Sequence, residues 1–178
     1  MIDRNLVAIE PKSFVEYETA VAGAGAQVAE LGANVGALIW TDYSQPAALA
    51  NLLAENPQLE WVQLPFAGVD AFASVLQNPV VFTSAKGAYR EPVAEHALAL
   101  CLALARKLPE RVVAKSWGKK FAVSLYDSHV LIVGGGGIAE ELVSLLAPFK
   151  CRVTVVRKHT ADIEGATETV GFDRLDEF

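Results

Sequence analysis

Short apolar runs alternate with helix-like segments over the first 85 residues of the chain. The apolar runs predict strands at residues 6–10, 27–31, 36–41, 60–64 and 80–84. The segments between them predict helices at 13–22, capped by Ser13, at 45–55 and at 69–76. Such an alternation is typical of a parallel sheet with helices on both faces. The first half of the chain is therefore predicted to be a doubly wound α/β unit.

A longer helix is predicted from Pro92 to Lys107, with the proline in its first turn. Its residues 97–105 are apolar on every side, which predicts burial all round the helix. A small domain can hardly enclose such a helix, so we expect it at a domain junction or a subunit interface. A second helix is predicted at 109–117, followed by a linker at 118–120.

A glycine-rich turn between a strand and a helix is the most informative motif. A predicted strand at 130–133 runs into four consecutive glycines, and a predicted helix at 140–149 and a strand at 152–156 follow. Gly134, Gly136 and Ala139 match the pattern G-x-G-x-x-G/A, which lets a backbone approach a pyrophosphate at a helix N-terminus. The motif predicts a dinucleotide site at Gly134, Gly136, Gly137, Ile138 and Ala139. A purely structural glycine turn is the alternative.

The end of the second strand indicates which dinucleotide is bound. NAD-binding proteins carry an acidic residue there for the ribose 2′-hydroxyl. This chain has Arg157, Lys158 and His159 instead. A basic cluster suits a 2′-phosphate, so the sequence favours NADP(H) over NAD(H), the alternative being a solvated basic loop.

Charge and composition exclude several classes of protein. The 178 residues carry a net charge of −6 and are 52% hydrophobic, which argues against a disordered chain and against nucleic acid as a partner. The most apolar stretch, residues 97–105, has nine uncharged apolar residues, which is too few for a membrane span. Cys101 and Cys151 predict neither a disulfide framework nor a metal site, and a cytoplasmic setting is expected. Two basic and nine acidic residues precede Lys86, against thirteen and twelve from there on, which suggests a domain boundary near residue 86.

Four stretches together resemble the D-isomer-specific 2-hydroxyacid dehydrogenases, particularly those that reduce glyoxylate or hydroxypyruvate with NADPH. They are FAGVD at 66–70, PVAEH at 92–96, RKLPE at 106–110 and the glycine turn. The resemblance implies a flavodoxin-like substrate-binding domain at residues 1–88 and part of a Rossmann NAD(P)-binding domain at 89–178. It also implies a homodimer through the helix from Pro92 to Lys107, and backbone N–H groups of Gly68 and Val69 that bind the substrate carboxylate.

The resemblance also implies that catalytic residues are missing from this chain. Forty-four residues follow Gly134, whereas a full dinucleotide domain has two βαβαβ halves, so the sequence is expected to be a truncated form. The family's catalytic Arg, Glu and His would lie in the absent half, and we expect no turnover from the chain alone. We expect His96 to be packed, His129 to be structural or exposed, and His159 to face a 2′-phosphate or solvent.

The sequence leaves two alternatives to a dehydrogenase open. The fold could instead be a non-catalytic dinucleotide-binding or partner-binding module. A methyltransferase-like glycine loop is disfavoured because it also prefers an acid after the second strand. Glu140 and Glu141 suit the start of a helix but would repel a pyrophosphate, so we expect weaker cofactor binding than the family norm.

Overall fold

The protein divides into two compact α/β units, residues 1–88 and 89–178. The computed structural model describes residues 1–119 and 121–178. Lys120, at the end of the predicted linker, lies outside the described residues. Each unit is an α/β structure with a parallel sheet, which confirms the predicted fold class.

The first unit is built on a five-stranded parallel sheet. Its elements are β1 (Asp3–Glu10), α1 (Val15–Gly23), β2 (Gln27–Val28), β3 (Val35–Trp40), α2 (Pro46–Glu55), β4 (Trp61–Gln63) and β5 (Val81–Thr83). The strand order is β2-β1-β3-β4-β5, which is the flavodoxin-like order 2-1-3-4-5. Fully buried side chains such as Leu38, Leu49 and Val62 fill the space between sheet and helices.

The second unit carries a shorter parallel sheet of order β6-β7-β8. Its elements are α3 (Arg90–Ala105), α4 (Leu108–Val112), β6 (His129–Val133), α5 (Gly137–Leu146), β7 (Arg152–Val156) and β8 (Glu168–Val170). The pairing joins His129 to Arg152 and Val133 to Val156, so β6 and β7 end together at the glycine turn. Helix α5 packs against α3, and Ala94, Leu142, Val143 and Leu146 are buried in the core of this unit.

Several predicted helix boundaries differ from the structure. Helix α1 begins at Val15 after Phe14, and Ser13 does not cap it, because the Ser13 hydroxyl donates to Glu18 Oε1 at 2.6 Å instead. The helix predicted at 69–76 consists of two 3₁₀ turns, Asp70–Phe72 and Val75–Gln77. Phe72 and Val75, three residues apart, both enter the core, a spacing that suits 3₁₀ geometry.

The helix predicted at 109–117 ends at Val112. Val112 and Val113 are exposed, so no tertiary packing supports further turns. Helix α5 begins at Gly137, three residues earlier than predicted, and ends at Leu146, after which Ala147–Phe149 forms a 3₁₀ turn.

Within the single chain, α3 is covered on one side only, so its burial at a domain junction or a subunit interface stays a prediction. One side of the helix packs against α5 through Ala94 and Leu98. The side chains of Leu100 and Leu104 remain 51% and 65% exposed, because no described residue covers them. None of the described helices combines the length and apolar character that a membrane crossing requires.

Candidate dinucleotide site

The glycine turn lies where β6 ends and α5 begins. Gly134 adopts φ +106°, a conformation that residues with a side chain rarely take. Its N–H donates to Val156 O at 2.8 Å, which ties the turn to the end of β7. Gly136, with φ −95° and ψ −173°, is the N-cap of α5. The turn is therefore fixed by hydrogen bonding and backbone geometry at the carboxyl edge of the sheet.

The first turn of α5 presents donors to an anion. The first intrahelical bond runs from Glu140 N–H to Gly136 O at 3.1 Å, so the N–H groups of Gly137, Ile138 and Ala139 precede it. Ala139 is buried and Ile138 is exposed. The small Ala139 side chain lets the helix pack closely on its sheet, as the sequence pattern requires.

Space around the turn suits a ligand that approaches the backbone. A Cβ added to Gly134 or to Gly136 would meet no described atom within 4 Å. The space beside these two glycines is therefore not filled by any described side chain. The N–H groups of the first helical turn have no backbone partner among residues 1–119 and 121–178, and the positive end of the helix dipole lies beside them, so the turn can hold a pyrophosphate.

Gly135 has a role that the sequence pattern missed. A Cβ at this position would lie 2.5 Å from Arg157 Cδ and 2.9 Å from its Nε, so the arginine side chain lies directly over Gly135. The pattern G-x-G treats this position as free. The sequence signal for this contact was a glycine at the free position of the pattern, together with an arginine just after β7.

The predicted basic cluster is divided by the structure. Arg157 follows β7, donates its N–H to Val170 O at 2.9 Å, and places its half-buried side chain against the glycine turn. Lys158 and His159 are exposed on the bend that follows. The structure therefore brings Arg157 to the turn and leaves the other two side chains in solvent beside it.

Glu141, which follows the first turn of α5, has a partner that sequence reasoning also missed. Arg90 Nε, at the start of α3, lies 3.1 Å from Glu141 Oε2, whereas Glu140 is exposed. Arg90 and Glu141 are fifty-one positions apart in the sequence, so no local pattern predicts that they form an ion pair.

Gly68 and Val69, the candidate substrate-binding residues, lie in the first unit, after the carboxyl end of β4. Gly68 is exposed and Val69 packs partly against the core. The loop is held where Ala85 N–H donates to Phe66 O at 3.1 Å. Ligands of open parallel sheets bind at this edge.

The histidines occupy three different surroundings. His96 is exposed on α3, so the prediction that it is packed is wrong for the described chain. His129 Nε2 lies 2.9 Å from Thr154 Oγ1, and its Nδ1 lies 3.1 Å from an Arg152 Nη, which is a structural role. His159 is exposed. Among the described residues no group of three or more His, Cys, Asp or Glu is placed to hold a metal ion.

Comparison with known proteins identifies a protein family that most of the second unit matches. Residues 98–178 match the model of the NAD-binding domain of D-isomer-specific 2-hydroxyacid dehydrogenases. A curated relative, an uncharacterised protein from the proB 3′ region of Corynebacterium melassecola, is 33% identical over 132 residues, which cover 70% of this chain and 43% of that protein.

Solved structures show the same fold. A D-isomer-specific 2-hydroxyacid dehydrogenase family protein from Aeromonas salmonicida is 19% identical, with a TM-score of 0.80, over 98% of this chain and 60% of that one. An NADPH-dependent glyoxylate/hydroxypyruvate reductase from Sinorhizobium meliloti, in complex with NADP and sulfate, is 22% identical, with a TM-score of 0.74, over 97% and 58%. Structures similar to this chain include complexes with NADP and with NAD.

The chain thus spans about three-fifths of the length of these solved structures and less than half of the curated relative. Its glycine turn lies within the segment that matches the family model. Residues 98–178 thus match the NAD-binding domain of the D-isomer-specific 2-hydroxyacid dehydrogenases, the family that the motifs of the sequence resemble.

Proposed function

We propose that this chain supplies the substrate-binding unit and the glycine-turn half of the cofactor domain of an NAD(P)H-dependent reductase of small 2-oxo acids. The observation that carries the proposal is the turn between β6 and α5. It combines a positive-φ glycine with helix N–H groups that have no backbone partner among the described residues, and with space above Gly134 and Gly136 that no described atom fills. These are the features that a pyrophosphate requires.

The residues present fit a nicotinamide dinucleotide in defined roles. The N–H groups of Gly137, Ile138 and Ala139 hold the pyrophosphate. Gly134 and Gly136 have no side chain, so the ligand can approach the backbone of the turn. The bound cofactor supplies the hydride that reduces the 2-oxo carbon, and the protein supplies binding and orientation. In the first unit, the N–H groups of Gly68 and Val69 bind the carboxylate of the 2-oxo acid.

We further propose that NADP(H) is preferred over NAD(H). The three residues directly after β7 are basic or histidine and include no acid, and Arg157 lies against the turn with Lys158 and His159 next to it. An acidic residue there would bind a ribose 2′-hydroxyl, whereas an arginine fork matches a 2′-phosphate.

Replacing Arg157 by glutamine should weaken NADPH binding about tenfold and leave NADH binding within about twofold of the parent. The reason is that a charge-assisted hydrogen bond to a phosphate contributes roughly 1.5–3 kcal/mol. Dissociation constants for both nucleotides, measured by the fluorescence of the reduced nicotinamide, give the ratio. Arg152→Gln, at the opposite end of β7, is the matched control. Equal weakening of NADH and NADPH would assign Arg157 a role other than reading the 2′-phosphate.

Turnover separates this proposal from its main alternative, a non-catalytic dinucleotide-binding or partner-binding module. The family's catalytic Arg, Glu and His have no counterparts that we can assign in this sequence. We therefore expect the 178-residue chain to bind NADPH without oxidising it in the presence of glyoxylate or hydroxypyruvate. Measurable NADPH oxidation would show that the chain carries catalytic groups that the family comparison does not identify.

We propose, finally, that two copies associate through α3. The helix exposes Val93, Leu100 and Leu104, at 40%, 51% and 65%, along one side. Apolar side chains at such spacing form a continuous helical stripe. A second copy that covers this stripe would give α3 the all-round burial that its composition predicts.

A further inference from the structure

The N-terminal part of α5 carries two negative charges that oppose the proposed ligand. Glu140 and Glu141 immediately follow the three N–H groups that would hold the pyrophosphate. Carboxylates there stabilise the helix through its dipole, but they repel a second anion at the same end. The site therefore needs a compensating cation if it is to bind a dinucleotide tightly.

Arg90 lies where such a cation is needed. Its Nε is 3.1 Å from Glu141 Oε2, and the side chains are 46% and 22% exposed. Its Cδ and Cγ would lie 3.5 and 3.8 Å from a Cβ built on Gly137. The methylene stem of Arg90 therefore passes beside Gly137, the first residue of α5, and the guanidinium is held at the start of that helix.

The guanidinium keeps donors in reserve. Arginine has five N–H donors in a planar fork, and within the described part of the chain the bond to Glu141 uses only Nε. Both Nη groups are therefore available to an anion at the glycine turn. The ion pair neutralises one of the two acids and also fixes the orientation of the fork.

We infer that Arg90 is a cofactor-binding residue that contacts the pyrophosphate of the dinucleotide, with Glu141 as the residue that positions it. The inference rests on the proposed dinucleotide site. It differs from the role of Arg157, because the pyrophosphate is common to NADPH and NADH. Loss of the Arg90 charge must therefore weaken the binding of NADPH and of NADH equally.

The test compares Arg90→Met, which keeps an unbranched apolar stem, with Arg90→Lys, which keeps the charge without the fork. We expect the methionine variant to raise the dissociation constants of NADPH and NADH each about tenfold, with their ratio unchanged. The lysine variant should recover part of the loss. Raising the salt concentration should weaken nucleotide binding by the parent more than by the methionine variant, because the variant has one charge contact fewer.

Arg174→Met is the matched control. Arg174 pairs with Glu177 and Glu168 in the same unit, at the end of the sheet where β8 begins. Its loss should leave both dissociation constants unchanged. Thermal unfolding of each variant separates an effect on folding from an effect on binding.

Two results would overturn the inference. Dissociation constants within twofold of the parent in Arg90→Met would assign Arg90 to helix packing alone, and a loss confined to NADPH would assign it to the 2′-phosphate. A parent chain that binds neither nucleotide would overturn the proposed function itself, and this inference with it.

Discussion

Replacing Gly136 by aspartate should abolish dinucleotide binding while the protein stays folded. Aspartate is a favoured N-cap, and Gly136 already has extended N-cap geometry with room for a Cβ. The new carboxylate would accept hydrogen bonds from the same N–H groups that we assign to the pyrophosphate. It would also repel that anion, so we expect the dissociation constant of NADPH to rise by about 100-fold or more.

Matched variants at the same position separate charge from bulk. Gly136→Ser caps the helix without a charge and should lose less affinity than the aspartate variant. Gly23→Asp adds the same charge at a glycine of α1 that also has open space around it, and it should leave binding unchanged. The unfolding temperature of the Gly136→Asp protein should equal or exceed that of the parent. NADPH affinity within threefold of the parent would show that the turn does not hold the pyrophosphate.

Glutamate at Leu100 and Leu104 together should convert a dimer into a monomer. The two residues lie four apart on one face of α3, so both would be buried in the proposed interface. Burying an unpaired charge there costs several kcal/mol. Light scattering should give twice the chain mass of 19.0 kDa for the parent and the single-chain mass for the variant.

The two cysteines provide an independent measurement of the same interface. Cys101 is exposed on α3 beside Leu100, so a second copy would protect it from alkylation and the glutamate variant would release it. Cys151 is an internal reference, because burial raises the pKa of its thiol and so lowers the reactive thiolate fraction at a given pH. Val15→Glu changes another exposed apolar side chain, on α1, and should leave the mass unchanged. A parent that is monomeric, with Cys101 freely alkylated, would refute the interface.

Much of the second sheet could be predicted because its signals are local. Strand β7 has the predicted bounds, since four consecutive β-branched residues favour a strand and the basic cluster after Val156 marks its end. The glycine turn was equally predictable, because a positive φ at Gly134 and a small residue at Ala139 are requirements of the turn itself.

What the sequence could not predict depends on contacts between distant positions. Arg157 over Gly135 and Arg90 beside Gly137 each bring a cation to the turn from another element of the unit. The start of α5 was predicted too late because glycine is a poor helix former, whereas at Gly136 and Gly137 cap geometry outweighs propensity. The composition of α3 predicts cover on every side, but it does not say which chain covers Leu100 and Leu104, which are exposed in the single chain.

The most direct measurement is a titration of the isotopically labelled 178-residue chain with NADPH, and then with NADH, observed through its backbone amide resonances. We predict saturable shifts at Gly134 to Ala139 and at Arg157 to His159, with NADPH binding more tightly than NADH. Shifts confined to other residues, or none up to millimolar nucleotide, would contradict the assignment of the glycine turn as a dinucleotide site.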